Sequence, residues 1–149
     1  MNTLPRILIA DREATRLGIR MALDGEVSVC AEASDAEQAI RAAKREAPDL
    51  CLIGRQLCGD ELATIRGICR AAPLTAVVVL APEPDVEDLL AGVRAGAIGY
   101  VPGPLDAPRL RRLVRAVADN EAIVPRAMVL ELVLELRGTG SGGDGLSAR

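Results

Sequence analysis

Aromatic and histidine side chains are almost missing from this chain. Its 149 residues include one Tyr but no Phe, no Trp and no His. The core must therefore be aliphatic, packed from Val, Leu, Ile and Ala. Without His, the chain also lacks the commonest general base and the commonest metal ligand of proteins, which argues against several classes of enzyme.

Lysine is nearly absent as well. Of the 18 basic residues only Lys44 is a lysine, so any mechanism that needs an active-site Lys must use that residue. The net charge of −3 argues against a nucleic-acid-binding face. Four arginines on one predicted helix are therefore interpreted as a solvated face or an interdomain contact: Arg109, Arg111, Arg112 and Arg115.

The four cysteines do not form a metal site. Cys30, Cys51, Cys58 and Cys69 contain no C-x-x-C pair, and no His is available to complete a zinc site. Cys30 and Cys51 lie in predicted strands and Cys69 on the apolar face of a predicted helix, so buried free thiols are expected. Cys58, in a predicted loop, is the only candidate for a reactive thiol.

The length favours one domain with a sizeable core. No apolar segment follows the first residues as it would in a signal peptide. The unbroken apolar runs are too short to cross a bilayer. A cytoplasmic protein without membrane contact is expected.

Short apolar runs alternate with amphipathic stretches along the first 119 residues. The runs predict strands at residues 7–10, 27–31, 50–53, 75–80 and 98–101. A predicted helix follows each strand; the first spans residues 13–23 with Leu17 and Met21 on one face. Ser34 or Asp35 is expected to cap the second helix and Asp106 the fifth. Alternation in the second strand suggests an edge position, whereas β-branched residues place the fourth in the interior.

Five such β-α units predict an α/β fold with right-handed crossovers. The expected architecture is a flavodoxin-like, doubly wound parallel sheet of strand order 2-1-3-4-5. In such sheets chemistry takes place just beyond the carboxyl ends of the strands. Gly54 follows the third strand at this spot, and without a side chain it can be neither nucleophile, ligand nor base.

The sequence changes character after the five units. Residues 120–137 are predicted to form a connector and an extra C-terminal helix, apolar over nearly its whole circumference. A helix of this kind is usually buried on more than one side. Residues 138–149 are rich in Gly and Ser, as in a flexible linker.

Four segments, in order and correctly spaced, carry a family resemblance. Residues 6–11 (RILIAD), 47–53 (APDLCLI), 75–80 (TAVVVL) and 94–101 (RAGAIGYV) resemble the receiver domain of bacterial response regulators. The RAGAxGY segment is similar to that of the NarL/FixJ branch. The final GLSAR resembles the opening of a LuxR-type helix-turn-helix domain, so residues 138–149 are expected to lead into a truncated domain of that type.

The resemblance implies phosphoryl transfer to an Asp at the end of the third strand. That chemistry also uses acidic residues after the first strand for Mg²⁺, a Thr or Ser after the fourth strand and a Lys after the fifth. At the matching positions this chain has Gly54, Ala81 and Gly103, and Asp11 of the acidic pair is followed by Arg12. We therefore expect a degenerate, non-enzymatic receiver without a cofactor and without Mg²⁺.

Three finer expectations follow from the same alignment. The Arg12 guanidinium either replaces Mg²⁺ as the counter-charge of Asp11 or points into solvent. Tyr100, at the family's switch aromatic, either packs at the surface of the fifth strand or takes part in an interface. The peptide bond between Gly103 and Pro104 is a candidate for the cis form.

The sequence as a whole indicates a pseudo-receiver, a phosphorylation-independent regulator of transcription. Its receiver-like half would form a homodimer and control a C-terminal domain that binds DNA. The candidate interface residues lie on the C-terminal helix: Met128, Leu132, Val133 and Leu136. Surfaces of the fourth helix with the fifth strand and helix, or of the first and fifth helices, remain alternatives. Alternatively, the emptied pocket binds a small molecule or a regulatory protein.

Overall fold

Strands and helices alternate regularly in the computed structural model, which describes residues 4–55, 57, 60–119 and 134. The strands are β1 (Arg6–Ala10), β2 (Ser28–Ala33), β3 (Leu50–Gly54), β4 (Ala76–Ala81) and β5 (Gly99–Pro102). The helices are α1 (Glu13–Ala22), α2 (Ala36–Glu46), α3 (Glu61–Ala71), α4 (Val86–Ala95) and α5 (Ala107–Ala118). Each predicted strand is present, with its ends displaced by two residues at most.

The five strands form one parallel sheet in the order β2-β1-β3-β4-β5. This confirms the predicted flavodoxin-like architecture, with β2 at an edge and β4 in the interior. The register sets Ala10 beside Ile53 and Gly54 beside Leu80. The carboxyl ends of β1, β3 and β4 therefore meet at the same edge of the sheet, where the candidate site lies.

Helices cover both faces of the sheet and bury two aliphatic layers. One layer packs under α2, α3 and α4 and includes Leu8, Ile53, Ile65 and Leu89. The other packs under α1 and α5 and includes Ile9, Leu52 and Leu110 among its members. Tyr100 is the one aromatic ring in either layer, as expected for a core of aliphatic side chains.

Aspartate side chains cap four of the five helices. Asp35, Asp60, Asp85 and Asp106 each accept a hydrogen bond from a backbone N–H in the first turn of their helix, which satisfies a donor that the helix itself leaves free. Asp35, not Ser34, caps α2. The exception is α1, where Arg12 occupies the cap position and its side chain accepts no such bond.

The face of α1 that the sequence predicts to be apolar, with Leu17 and Met21, is not the buried face of the helix. Leu17 and Met21 are 47% and 71% exposed, whereas Ile19 and Leu23 are buried against the sheet. Apolar residues occur on two overlapping faces of this helix, and only the docked orientation selects one of them. The Leu17 and Met21 face of α1 is therefore open to solvent.

Three cysteines lie within the described residues, and all are free. Cys51 is fully buried, and burial raises its pKa to about 12. Cys30 and Cys69 are partly buried, and burial is again the main cause of their raised pKa values. These thiols therefore resist ionisation at neutral pH, as expected for structural cysteines. Cys58 is outside the described residues.

The predictions for residues 120–149 also fall almost wholly outside the described residues. This holds for the connector, the linker and the four interface candidates, Met128, Leu132, Val133 and Leu136. Leu134 is described; it is helical and 54% exposed. The domain boundaries and the proposed dimer helix remain predictions.

Gly96 ends α4 in a conformation that favours glycine. Its φ is +122°, and a Cβ at this position would come within 2.6 Å of Cys69 Sγ. We expect Gly96→Ala to lower the free energy of unfolding by about 1–3 kcal/mol, because strain and overpacking act together. Gly18→Ala is the matched control. Gly18 lies in α1, and a Cβ at this position would have no neighbour within 4 Å. This substitution should therefore raise the free energy of unfolding by roughly 0.5–1 kcal/mol. Chemical denaturation measures both; equal effects would contradict the account.

Candidate functional site

A cavity of about 410 Å³ opens at the carboxyl edge of the sheet, between α1 and the start of α5. Four of the predicted site residues line it: Asp11, Arg12, Ala81 and Gly103. The fifth, Gly54, lies directly beneath the side chain of Asp11. The structure therefore brings together all five positions, because the ends of parallel strands share one edge.

The carboxylate of Asp11 occupies the space above Gly54. A Cβ built on Gly54 would lie 2.6 Å from Asp11 Oδ1 and nearer still to Oδ2 and Cγ. Atoms that are not bonded to each other do not approach so closely, so Asp11 can hold this position only while residue 54 lacks a side chain. The glycine and the aspartate thus form one packing unit.

Backbone groups hold Asp11 in place. Its Oδ1 accepts a hydrogen bond of 2.7 Å from the Arg12 N–H, and its own N–H donates to the Ala33 carbonyl at 3.1 Å. Arg16 Nη1 donates to the Asp11 carbonyl oxygen at 2.8 Å. The Asp11 residue is only 6% exposed. Its position is therefore fixed by the main chain of β1, β2 and the start of α1.

The counter-charge role predicted for Arg12 is wrong. Arg12 is exposed, and it contacts the Asp11 carboxylate through its backbone N–H, not through an ion pair of the guanidinium. As the cap residue of α1, Arg12 has extended backbone angles that direct its N–H towards the carboxylate. Of the two alternatives that the sequence left open, a guanidinium in solvent matches the structure.

Ala81 and Gly103 lie side by side on the other flank of the cavity. The Gly103 N–H donates to the Ala81 carbonyl at 2.8 Å, and Gly103 has a positive φ of +81°. The peptide bond to Pro104 is trans, so the predicted cis form is wrong. Arg109 holds the loop by donating to the carbonyl oxygens of Pro104 at 2.6 Å and Pro102 at 3.0 Å.

Tyr100 lies inside the sheet domain, away from the cavity. It is 2% exposed and belongs to the aliphatic layer under α2, α3 and α4. The prediction that Tyr100 packs at the surface of the fifth strand is therefore wrong. Its hydroxyl donates to the Glu83 carbonyl at 3.1 Å. Burial, followed by the nearby Asp88 carboxylate, raises the pKa of Tyr100.

The cavity offers little to a metal ion. Asp11 carries the only carboxylate among the described lining residues, and no group of three or more potential metal ligands exists in the part of the chain that the structure describes. Mg²⁺ requires several oxygen ligands in octahedral geometry. Lys44 is exposed on α2 and does not line the cavity.

Comparison with known proteins places this geometry in a family. The sequence model of the response regulator receiver domain matches residues 7–115, which is most of the chain and all of the sheet except Arg6. The chain belongs to the response regulator receiver domain family. No helix among the described residues of this receiver is long and apolar enough to cross a membrane.

The relatives of the receiver are regulators of transcription. It is 31% identical over 136 residues to the transcriptional regulatory protein YxjL of Bacillus subtilis, covering 87% of this chain and 62% of that protein. It is 26% identical to the nitrate/nitrite response regulator NarL of Escherichia coli, covering 88% of this chain and again 62% of the relative. The chain therefore spans less than two thirds of the length of these relatives.

Solved structures confirm the fold of the receiver. A LuxR-family two-component response regulator from Aurantimonas superposes with a TM-score of 0.79 at 23% identity, over 91% of this chain and 99% of that one. A response regulator from Thermotoga maritima superposes with a TM-score of 0.71 at 26% identity, over 78% and 99% of the two chains.

A charged cluster beside the receiver cavity was missed by sequence reasoning. Arg55, directly after β3, forms ion pairs with Asp88 of α4 and, at 3.8 Å, with Glu61 of α3. The cluster ties the β3–α3 connection to two helices. The position of Arg55 next to Gly54 is the only signal in the sequence, because its partner Asp88 is 33 residues away.

The carboxyl group of Glu61 is only partly satisfied within this cluster. Its Oε2 is buried and accepts no hydrogen bond from any described residue. Burial, followed by the nearby Asp88, raises the pKa of Glu61 from 4.5 to about 7, although Arg55 acts in the opposite direction. At neutral pH this carboxyl group is therefore partly protonated in the folded state.

A double-mutant cycle tests the packing of Asp11 on Gly54. We expect Gly54→Ala to cost about 1–2 kcal/mol, because the new methyl group displaces the carboxylate from the Arg12 N–H. In an Asp11→Ala background the same change should cost less than about 0.5 kcal/mol, since the space is then empty. Urea denaturation of the four proteins gives the coupling energy; equal costs in the two backgrounds would show that the residues do not interact.

Glu61 should make the stability of the receiver depend on pH. Between its unfolded pKa of 4.5 and its folded pKa of about 7, the folded state keeps a proton that the unfolded state has lost. Its contribution to stability is therefore greatest at low pH and is lost as pH rises through 7. We therefore compare the free energy of unfolding of Glu61→Gln with that of wild type. This difference should favour the variant by on the order of 1 kcal/mol more at pH 8 than at pH 5.

Glu37→Gln is the control for this pH dependence. Glu37 is largely exposed on α2, where it forms an ion pair with Arg41, so its substitution should change stability by a small and nearly constant amount. Denaturation curves at several pH values measure both variants. A flat difference for Glu61→Gln would rule out the raised pKa.

Proposed function

We propose that this chain is a pseudo-receiver, the regulatory and dimerising half of a transcription regulator that works without phosphorylation. In the family resemblance, Gly54 stands where a receiver carries its phosphoacceptor aspartate. The proposal concerns a non-enzymatic module that uses neither Mg²⁺ nor another cofactor. It locates DNA binding in a C-terminal domain beyond these residues.

The packing of Asp11 on Gly54 is the observation that carries the proposal. An acceptor aspartate needs space for its side chain above the end of β3, and in this chain the Asp11 carboxylate fills that space. The aspartate that would help to hold Mg²⁺ therefore excludes the acceptor from its place. Glycine at residue 54 and the inward position of Asp11 support each other.

The flanking positions support the same conclusion. Ala81 has no hydroxyl group that could follow a phosphoryl group, and Gly103 has no ammonium group to neutralise its charge. The single lysine, Lys44, is exposed on α2. Tyr100 is buried with its hydroxyl held by Glu83. In the family resemblance, a Thr or Ser at residue 81 moves together with the aromatic ring at residue 100. Ala81 has no hydroxyl group, so this coupled movement cannot take place.

The domain arrangement is part of the proposal. Residues 1–119 form the receiver, residues 120–137 the connector and dimer helix, and residues 138–149 a linker to a helix-turn-helix domain. Relatives that share this span include a DNA-binding transcriptional activator, DevR/DosR of Mycobacterium tuberculosis, which is 26% identical over 143 residues and of which the chain covers 66%. A homodimer would set two DNA-binding domains across a two-fold site.

A second candidate function rests on the cavity. Its volume of about 410 Å³ lies within the range of small-molecule sites. Its walls combine apolar side chains of α1 and α5 with the carboxylate of Asp11. On this alternative, a bound metabolite or a regulatory protein takes the place of the phosphoryl group as the signal.

Treatment with a phosphodonor tests the proposed function. Incubated with acetyl phosphate and Mg²⁺, the chain is expected to gain no hydroxylamine-sensitive phosphoryl group by intact-mass spectrometry, because the acceptor position has no side chain. Light scattering should give the mass of a dimer with or without the donor. A receiver with an aspartate at the end of β3 serves as the positive control. An acyl phosphate on another carboxylate, such as Asp60, or a dimer that needs the donor would contradict the proposal.

A further inference from the structure

Asp11 brings a carboxylate to the cavity that forms no ion pair with any described residue. Asp11 is 6% exposed, and only its Oδ1 accepts a hydrogen bond from a described residue. No ion pair joins it to any arginine of the described chain. A positive group in the cavity would pair with Asp11 Oδ2, which accepts no hydrogen bond from a described residue.

The lining of the same cavity also includes an exposed positive charge. Arg12 lines the cavity, is exposed, and forms no ion pair within the described residues. Arg55 also lines the cavity, but its guanidinium is paired with Asp88 and Glu61. Among the described lining residues, Arg12 therefore has the one guanidinium without an ion pair, a group suited to bind a carboxylate.

The other lining residues of the cavity are mostly apolar. Ile19 and Ala22 of α1 line it together with Leu80, Leu105 and Leu110, and all five belong to or pack against one aliphatic layer. These aliphatic side chains suit an uncharged hydrocarbon group of moderate size. The cavity lining thus combines one carboxylate, aliphatic side chains and an exposed guanidinium.

This combination of groups argues against simpler ligands. A divalent cation finds a single carboxylate and a neighbouring guanidinium, which repels it. An inorganic anion would be repelled by the Asp11 carboxylate. An uncharged apolar molecule would leave that carboxylate unpaired.

We propose that the cavity binds a small zwitterion with an apolar substituent, of the class of the aliphatic and aromatic α-amino acids. The ammonium group pairs with Asp11 Oδ2, the carboxylate pairs with the Arg12 guanidinium, and the side chain packs along Ile19 and Leu105. This proposal deepens the second candidate function and rests on the pseudo-receiver reading, since a phosphorylated site would have no room for the ligand.

NMR titration of the full chain tests the proposal. L-Leucine and L-phenylalanine are the probes, and 3-methylbutylamine and 4-methylpentanoate each keep only one charge of leucine. We expect saturable shifts of the Arg12, Ile19 and Leu105 amide signals with at least one of the two amino acids. The single-charge probes should bind about ten- to a hundredfold more weakly, because each loses one charge-assisted contact.

Three variants separate a specific site from general binding. Asp11→Asn keeps the acceptor for the Arg12 N–H but removes the charge, and Arg12→Ala changes an exposed side chain; each should weaken binding by roughly tenfold or more. Arg66→Ala is the control, since Arg66 is exposed on α3 and does not line the cavity. The Arg66→Ala variant should bind the amino acids with the affinity of wild type.

Two results would overturn the proposal: no saturable shift with either amino acid, or affinities that Asp11→Asn and Arg12→Ala leave unchanged. Neither result depends on a phosphodonor. An absence of binding together with an absence of phosphorylation would therefore reject the ligand and keep the pseudo-receiver, whereas phosphorylation of the chain would reject the pseudo-receiver itself.

Discussion

The carboxylate of Asp11 fills the space in which a side chain at residue 54 would begin. The rest of the site depends on this contact. It fixes the carboxylate against the Arg12 N–H, leaves the Arg12 guanidinium in solvent, and closes the end of β3 to an acceptor side chain. A residue that belongs to the metal-binding group in the family resemblance has become part of the packing of the sheet edge.

Charge is arranged around this edge in two separate groups. Arg55, Asp88 and Glu61 form a cluster that connects the end of β3 to α3 and α4. Asp11 and Arg12 remain outside it, and the cavity lies beside them. The first group pairs Arg55 at the end of β3 with α3 and α4, while the second leaves one negative and one positive charge without an ion pair among the described residues. The receiver scaffold is retained, and the proposed function assigns to this edge of the sheet binding in place of phosphoryl transfer.

The fold could be predicted from the sequence because its period changes between strand and helix at each unit. The meeting of Asp11, Ala81 and Gly103 was also predictable, since parallel strands end at one edge. The orientation of α1 was not, because apolar residues lie on two of its faces. The trans bond before Pro104 and the pairing of Arg55 with Asp88 depend on contacts distant in sequence, which no local pattern encodes.

NMR titration with Mg²⁺ followed by beryllofluoride, an analogue of the phosphoryl group, tests the central claim most directly. If Asp11 is held over Gly54 and no acceptor exists, the amide signals of Asp11, Gly54, Ala81 and Tyr100 should stay in place at millimolar concentrations of both. Saturable shifts of these signals, extending from the sheet edge to Tyr100, would show a working phosphorylation site and contradict the account.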